Sequence, residues 1–235
     1  MARCKCYCEA VRAMVVWSIK LYEEALEWVR AAEQSAATAA SASFVLQSGS
    51  LPIMLSAPHN VEHVREGVTK YAEPETGPLA YAIGRMYDCP FIIQVRNDSL
   101  DPNWDEQSAY RDAVYAYVVE NGVRFLLDLH QLSPKREQDI ILGTGKGDNI
   151  VGWDHLVPKI KAAFNGHGLA NVAVDEVFSA TYPHTVSAST AREAHIPCFQ
   201  VEMNSALFMP ENPRYNPLAV CEALSDIVSL LGRLS

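Results

Sequence analysis

The sequence predicts an α/β protein, a three-layer α/β/α sandwich around a largely parallel or mixed central sheet. Three observations carry this. From Phe44 onward, short runs rich in β-branched and aromatic residues alternate with longer stretches of helical character, the pattern of strands joined through helices. One run, Val123-Arg-Phe-Leu-Leu-Asp-Leu-His130, is almost continuously apolar between Phe125 and Leu129, as in a strand covered on both faces. With 235 residues, 49% hydrophobic and 20% charged, the chain can bury a large core without staples.

In order along the chain, residues 9–38 read as a helix. Val15, Ile19, Leu21, Ala25 and Val29 recur near helical spacing among Lys20, Glu23 and Glu24. The Ala/Ser/Thr stretch from Ala31 to Ser43 loses that period and reads as a linker. Residues 1–43 are therefore expected to be a helical extension and 44–235 the main domain. Phe44–Gln47 and Pro52–Ser56 read as strands around a Ser48-Gly-Ser50 turn. Gly77-Pro78 opens a helix to about Tyr87, proline suiting its first turn. Phe91–Val95 is a strand, and Asp105–Asn121 a helix stopped by Gly122. After the buried strand Phe125–Leu129, Asp139–Leu142 forms another, followed by the glycine-rich loop Gly143–Gly147. Trp153–Asn165 reads as a helix, Val172–Val174 and Cys198–Val201 as strands, and Leu218–Leu234 as the closing helix. No internal repeat interrupts this order.

A net charge of −9 argues against a nucleic-acid-binding surface. No apolar run approaches the roughly 20 residues a transmembrane helix needs. Ala10–Ile19 carries Arg12 and runs into Lys20-Leu-Tyr-Glu-Glu instead of a cleavage site, so no cleaved signal peptide is expected. Three cysteines, Cys4, Cys6 and Cys8, cluster at the N-terminus; Cys89, Cys198 and Cys221 are isolated in apolar surroundings. Reduced thiols and a cytoplasmic setting follow. Cys-x-Cys-x-Cys could hold a soft metal, but no matching cluster follows it.

The chemistry gathers at strand ends. Leu51-Pro-Ile-Met-Leu-Ser-Ala-Pro-His59-Asn-Val-Glu62 ends a strand at Pro58 and then places His and Glu at i, i+3. A second His-x-x-Glu, His63-Val-Arg-Glu66, overlaps it and is expected on a solvent-facing helical turn, so His59 and Glu62 are preferred. His130 closes the apolar strand, with Asp128 two residues earlier on the same face. Two histidines and a carboxylate make an open zinc site, with three protein ligands and one position left; the pair Asp128/His130 would equally serve as a hydrogen-bonded structural pair. Glu202 ends the run Pro197-Cys-Phe-Gln-Val-Glu202 and could act as general base or as a strand-end salt bridge. Arg96 and Asn97 follow the strand at Val95, and Arg192 precedes Glu202; arginine can grip a carboxylate or steady an oxyanion. Residues 143–147 lack P-loop spacing, and no Gly-x-Ser-x-Gly elbow is present.

Together these pieces resemble the N-formylglutamate amidohydrolase family. The resemblance runs from about Phe44 to Pro217. It rests on Leu51–His59, Asp128-Leu-His130, Asp139-Ile-Ile-Leu-Gly-Thr144 and Gln200-Val-Glu-Met-Asn-Ser-Ala-Leu-Phe208, the last similar to the family's Glu-x-Asn-x-x-Leu-Tyr/Phe segment. The wider relatives are zinc carboxypeptidases, aspartoacylases and succinylglutamate desuccinylases. The resemblance implies a hydrolase-like (phosphorylase/hydrolase-like) α/β/α fold. It also implies one Zn2+ per chain on His59, Glu62 and His130, with Glu202 as general base. Arg192 stands at the spacing of a substrate arginine, and Arg96, Asn97 and Asn204 would face substrate. The expected activity is hydrolysis of the amide of an N-acyl amino acid, N-formyl included, or similar small acid. The other readings are a carboxypeptidase-type peptidase and a non-catalytic metal-binding or regulatory domain. Departures are clear: Val61 replaces the glycine of Pro-His-Ser/Asn-Gly, the Asp-x-Asn-Arg signature gives way to Val95–Asn103, and the Arg96-Asn97 order is reversed.

Overall fold

The computed structural model describes residues 20–37 and 42–234; Cys4, Cys6 and Cys8 lie outside them. Helix α1 (20–37) is followed by β1 (Phe44–Gln47), β2 (Ile53–Ala57), β3 (His63–Arg65), β4 (Val68–Lys70), α2 (Thr76–Tyr87), β5 (Phe91–Gln94) and α3 (Ala109–Asn121). Then come β6 (Phe125–Leu132), β7 (Ile140–Gly143), α4 (Val157–Gly166), β8 (Val172–Val174), α5 (Val186–Ala194), β9 (Cys198–Asn204) and α6 (Pro217–Gly232).

Among the described residues, seven strands form one mixed sheet in the order β1-β5-β2-β6-β9-β7-β8, and β3 and β4 form a separate pair. The pairs β5/β2, β2/β6, β6/β9 and β7/β8 are parallel, while β1/β5 and β7/β9 are antiparallel. Strand alternation divides the core between the two faces. Ile53 and Leu55, Phe125, Leu127 and Leu129, and Phe199 and Val201 face one side, where they pack with α1, α2, α4 and α6. Met54, Leu126 and Cys198 face the other, under α3 and α5. Each such side chain removed from water contributes about 1.5–3 kcal/mol, so the central strands β2, β6 and β9 anchor the core.

Caps set the helix boundaries. The Ser108 side chain accepts from the Arg111 N–H at the start of α3, four residues later than the sequence suggested, because Asp105–Gln107 belong to the preceding loop. Gly122 ends α3 in the left-handed conformation, φ 64°, a position that favours glycine. Helix α5 is an element the sequence reading did not contain; Thr185 caps it by accepting from Ala188 N–H. The segment 63–70 is a hairpin, not a helical turn. Glu66 and Gly67 supply its two residues at positive φ, 53° and 75°, which suits a tight right-twisted β-turn.

Helix α1 packs on the domain. Ala25 and Val29 are buried in the main core, and the Trp28 ring lies 4.7 Å from Tyr81 and 5.9 Å from Phe91. Tyr22 donates to Glu75, and Glu33 accepts from Asn60 Nδ2 at 2.9 Å. Among the described residues no helix is long and apolar enough to cross a membrane. Cys89, Cys198 and Cys221 are free and buried.

Candidate metal centre

The centre lies at the carboxyl ends of β2, β6 and β9, where open α/β sheets expose strand ends to ligands. Strand alternation puts Asp128 and His130 on one face of β6, and Gln200 and Glu202 on the same face of β9. In the parallel register Asp128 stands beside Gln200 and His130 beside Glu202. His59 leaves the end of β2 through Pro58. The chain then makes the β3/β4 hairpin and returns, pinned where the Glu73 N–H donates to the His59 carbonyl at 2.8 Å.

That return brings three ligand atoms together. Glu73 Oε1 is 3.0 Å from His59 Nδ1, and Glu73 Oε2 is 3.0 Å from His130 Nδ1. Glu73 Oε2 also accepts the Gln131 N–H at 3.0 Å. The far nitrogen of His59 is held by a carboxylate, and that of His130 lies between the Asn103 amide and the Asp128 carboxylate. His59 Nε2 lies 2.9 Å from Asp101 Oδ1, and His130 Nε2 lies 3.3 Å from Asp128 Oδ2 and 2.9 Å from Asn103 Nδ2. Such partners fix the orientation of a metal-binding imidazole and raise its basicity.

Among the described residues, two groups have ligand atoms within 4.8 Å of one another: His59/Glu73/His130 and His59/His63/Asp101. They share His59 through opposite ring nitrogens. In the second, the Asp101 carboxylate already accepts from Arg65 Nε at 2.7 Å and from Asn103 N–H at 2.8 Å. A guanidinium bonded to a would-be ligand opposes a dication by like charge. The first group has no cation on its carboxylate except the two imidazoles themselves, so it fits a divalent ion and the second serves to orient His59.

The electrostatics follow from this packing. Burial favours neutral imidazoles, but Glu73 and Asp101 together outweigh it and raise His59; Glu73 and Asp128 raise His130 well above its ordinary value. Burial alone would raise Glu73, yet the two histidines hold it well below the carboxylate range. His63 stacks on His59 with centroids 3.8 Å apart and planes 6° apart; burial and the neighbouring His59 push it down to about 4. Glu202 is raised to about 7, by burial and then by Glu73, against the lowering pull of His130. A carboxyl poised near neutrality is suited to exchange a proton in both directions.

These groups form the floor of a cavity of about 520 Å³ whose lining includes His59, Glu73, His130, Gln200 and Glu202. Trp104 and Tyr182 stack on its wall at 4.5 Å, with Arg65 5.1 Å from the Trp104 centroid; the Arg136 guanidinium lies 5.1 Å from the Phe178 ring.

The structure brings His59, His130 and Glu202 of the sequence-derived set together. Glu62 is exposed and belongs to neither group; the hairpin carries it away, and Glu73 supplies the carboxylate from fourteen residues beyond His59. Arg192 is exposed, pairs with Glu193 at 2.7 Å, donates to the Pro183 carbonyl and lines a separate small hollow. Arg96 and Asn97 are not among the cavity's lining residues. Asn204 is buried and structural: its Oδ1 accepts the Ala206 N–H, and its Nδ2 donates to the carbonyls of Arg136 and Gln138. It thereby holds the loop that carries Arg136. Sequence reasoning missed Glu73, Asp101 and Asn103. The Asp101-Pro-Asn103 turn and the acidic residues before Gly77-Pro78 were the available signals, and neither has a spacing that names a partner.

Solved structures share this architecture. N-formylglutamate amidohydrolase from Ralstonia eutropha JMP134 is 14% identical with a TM-score of 0.56, covering 83% of this chain and 100% of that one. The chain has the N-formylglutamate amidohydrolase fold. A bacteriophage poly-gamma-glutamate hydrolase is 14% identical at a TM-score of 0.54, over 86% of this chain and 96% of that one. A gene product of Agrobacterium tumefaciens is 12% identical at 0.52, over 82% and 91%. No family model and no curated protein matches the sequence. At these identities the N-formylglutamate amidohydrolase likeness is one of fold, with two hydrolases, by name, among the structures that share it.

Proposed function

We propose that this chain is a zinc-dependent hydrolase that cleaves the amide bond of an N-acyl amino acid or a similar small acid. The observation that carries the reading is the convergence of His59 Nδ1 and His130 Nδ1 on Glu73, with His59 Nε2 on Asp101 and His130 Nε2 between Asn103 and Asp128, beside the buried Glu202. His59, Glu73 and His130 would hold the zinc. A zinc ion there would supply Lewis acidity toward a carbonyl and toward water.

The chain's own residues do the rest. Glu202 accepts a proton from the attacking water as the new C–O bond forms, and returns that proton to the amide nitrogen as the C–N bond breaks. Burial of Glu202 and the neighbouring Glu73 make its carboxyl basic enough for the first transfer and acidic enough for the second. Arg136, on the cavity wall, would meet the substrate carboxylate; Arg192 lines a separate hollow and is not among the cavity's lining residues. Asp101 and Asp128 keep the histidine rings in register.

The test is metal-loaded Glu202→Gln against wild type, with zinc content and hydrolysis of a panel of N-formyl and N-acetyl amino acids read together. The reading expects the variant to keep zinc and lose turnover by about two orders of magnitude or more. Normal hydrolysis by the variant would overturn the role of Glu202. No turnover by the zinc-loaded wild type would favour a binding domain.

A further inference from the structure

We infer that Gln200 is a substrate-binding residue whose Oε1 accepts the N–H of the amide being cleaved; this rests on the hydrolase reading above. Gln200 is buried at 5% exposure and lines the cavity floor. It sits two residues before Glu202 on the same face of β9. Its Nε2 donates to Glu202 Oε1 at 2.9 Å, which fixes the direction of the side-chain amide. The other end, Oε1, is buried and has no hydrogen-bond partner among the described residues. Gly143 stands opposite Gln200 in the β7/β9 register, and a Cβ there would lie 3.2 Å from Gln200 Cβ. The glycine leaves the Gln200 side chain room on that face.

A buried acceptor left without a donor costs about 1–3 kcal/mol. Native proteins keep such groups where a ligand supplies the missing partner. The chemistry of the site says which ligand atom that is. Glu202 delivers its proton to the amide nitrogen, so that nitrogen must lie against Glu202. Gln200 is hydrogen-bonded to the same carboxylate and lines the same cavity, so its unpartnered acceptor would meet the same nitrogen. A secondary amide carries one N–H. Held by Gln200 Oε1, that hydrogen leaves the nitrogen lone pair to develop toward Glu202. Gln200 makes and breaks no covalent bond; it orients the leaving nitrogen.

The test uses a matched pair that differs at the scissile link, N–H in one and O in the other: N-acetylglutamate and its ester counterpart, O-acetyl-2-hydroxyglutarate, each with zinc-loaded protein, compared as variant-to-wild-type ratios. Loss of the Glu202 contact would also weigh more on the amide, whose leaving nitrogen needs the proton; Gln200→Glu loses the same contact but keeps an acceptor oxygen, so comparing it with Gln200→Met separates the two causes. For Gln200→Met, kcat/KM on the amide is expected to fall about tenfold more than on the ester. Gln200→Glu is expected to keep an amide-to-ester ratio well above that of Gln200→Met even if both rates drop. Equal losses on the two substrates in Gln200→Met, with an unchanged melting temperature, or the same amide-to-ester ratio in both variants, would overturn the assignment. Should the wild type hydrolyse neither, the hydrolase reading fails, and the same pair is then titrated calorimetrically. A preference for the amide that Gln200→Met abolishes supports the acceptor role; equal binding of the two, or none, overturns it.

Discussion

Replacing Asp101 by asparagine tests whether the site depends on the carboxylate behind His59. Asp101 is fully buried. Its carboxylate accepts from His59 Nε2 at 2.9 Å, from Arg65 Nε at 2.7 Å and from the Asn103 N–H at 2.8 Å. A hydrogen bond to a charged group contributes about 1.5–3 kcal/mol, a neutral one about 0.5–1.5. Asparagine keeps the shape and loses the charge, so roughly 1 kcal/mol disappears at each of the two cationic contacts. The Arg65 side chain is 31% exposed, which moderates its share. The metal-free variant should therefore be about 2 kcal/mol less stable, lowering the melting temperature by about 4–8 °C. Zinc affinity should fall about 10–100-fold as the His59 ring loses its orienting carboxylate. The sign with pH is definite. Burial would raise the Asp101 carboxyl, but the His59 and Arg65 contacts hold it well below the carboxylate range. The stabilisation is thus fully present above its unfolded pKa of about 3.9 and is lost as pH falls through the lower folded value. The wild-type advantage should close on acidification. Thermal melts at two pH values and a zinc titration read all of this; unchanged melting and unchanged affinity would refute the reasoning.

Two further predictions address the surroundings of the site. A Cβ at Gly77 would lie 2.3 Å from Asn60 Oδ1, so Gly77→Ala should destabilise by about 1–3 kcal/mol, seen as a lower denaturant midpoint. Arg136→Ala should raise KM by about tenfold through loss of a charged contact to substrate, while Arg192→Ala should leave both constants near wild type. Steady-state kinetics on both variants would contradict the cavity assignment if the order were reversed.

The fold was legible because its strands are distinct. Phe125–Leu129 reads as a doubly covered strand, and the structure buries it between both layers. Helix α5 was not legible. Val186-Ser-Ala-Ser-Thr-Ala191 is buried along its length, and small residues on every side leave no apolar stripe for periodicity to detect. The hairpin at 63–70 was obscured by the two overlapping His-x-x-Glu patterns, and only the Glu66-Gly67 turn marks it.

In the site, His130 and Glu202 could be found because a strand fixes both position and face. Glu73 could not. Its position beside His59 comes from a backbone hydrogen bond closed by a hairpin excursion, and no spacing rule encodes a loop of that length. The i, i+3 rule nominated Glu62 instead, which would be right for a helical turn and fails once the chain turns into β3. Asp101 and Asn103 sit in the loop between β5 and α3, and their role appears only when that loop folds over both histidines.

The central claim is that Glu73, not Glu62, completes a zinc site with His59 and His130. Elemental analysis of the zinc-loaded wild type, Glu73→Gln and Glu62→Gln tests it most directly. About one zinc per chain is expected in the wild type and in Glu62→Gln, and little or none in Glu73→Gln. Zinc retained by Glu73→Gln but lost from Glu62→Gln, or a wild type that takes up none, would contradict the account.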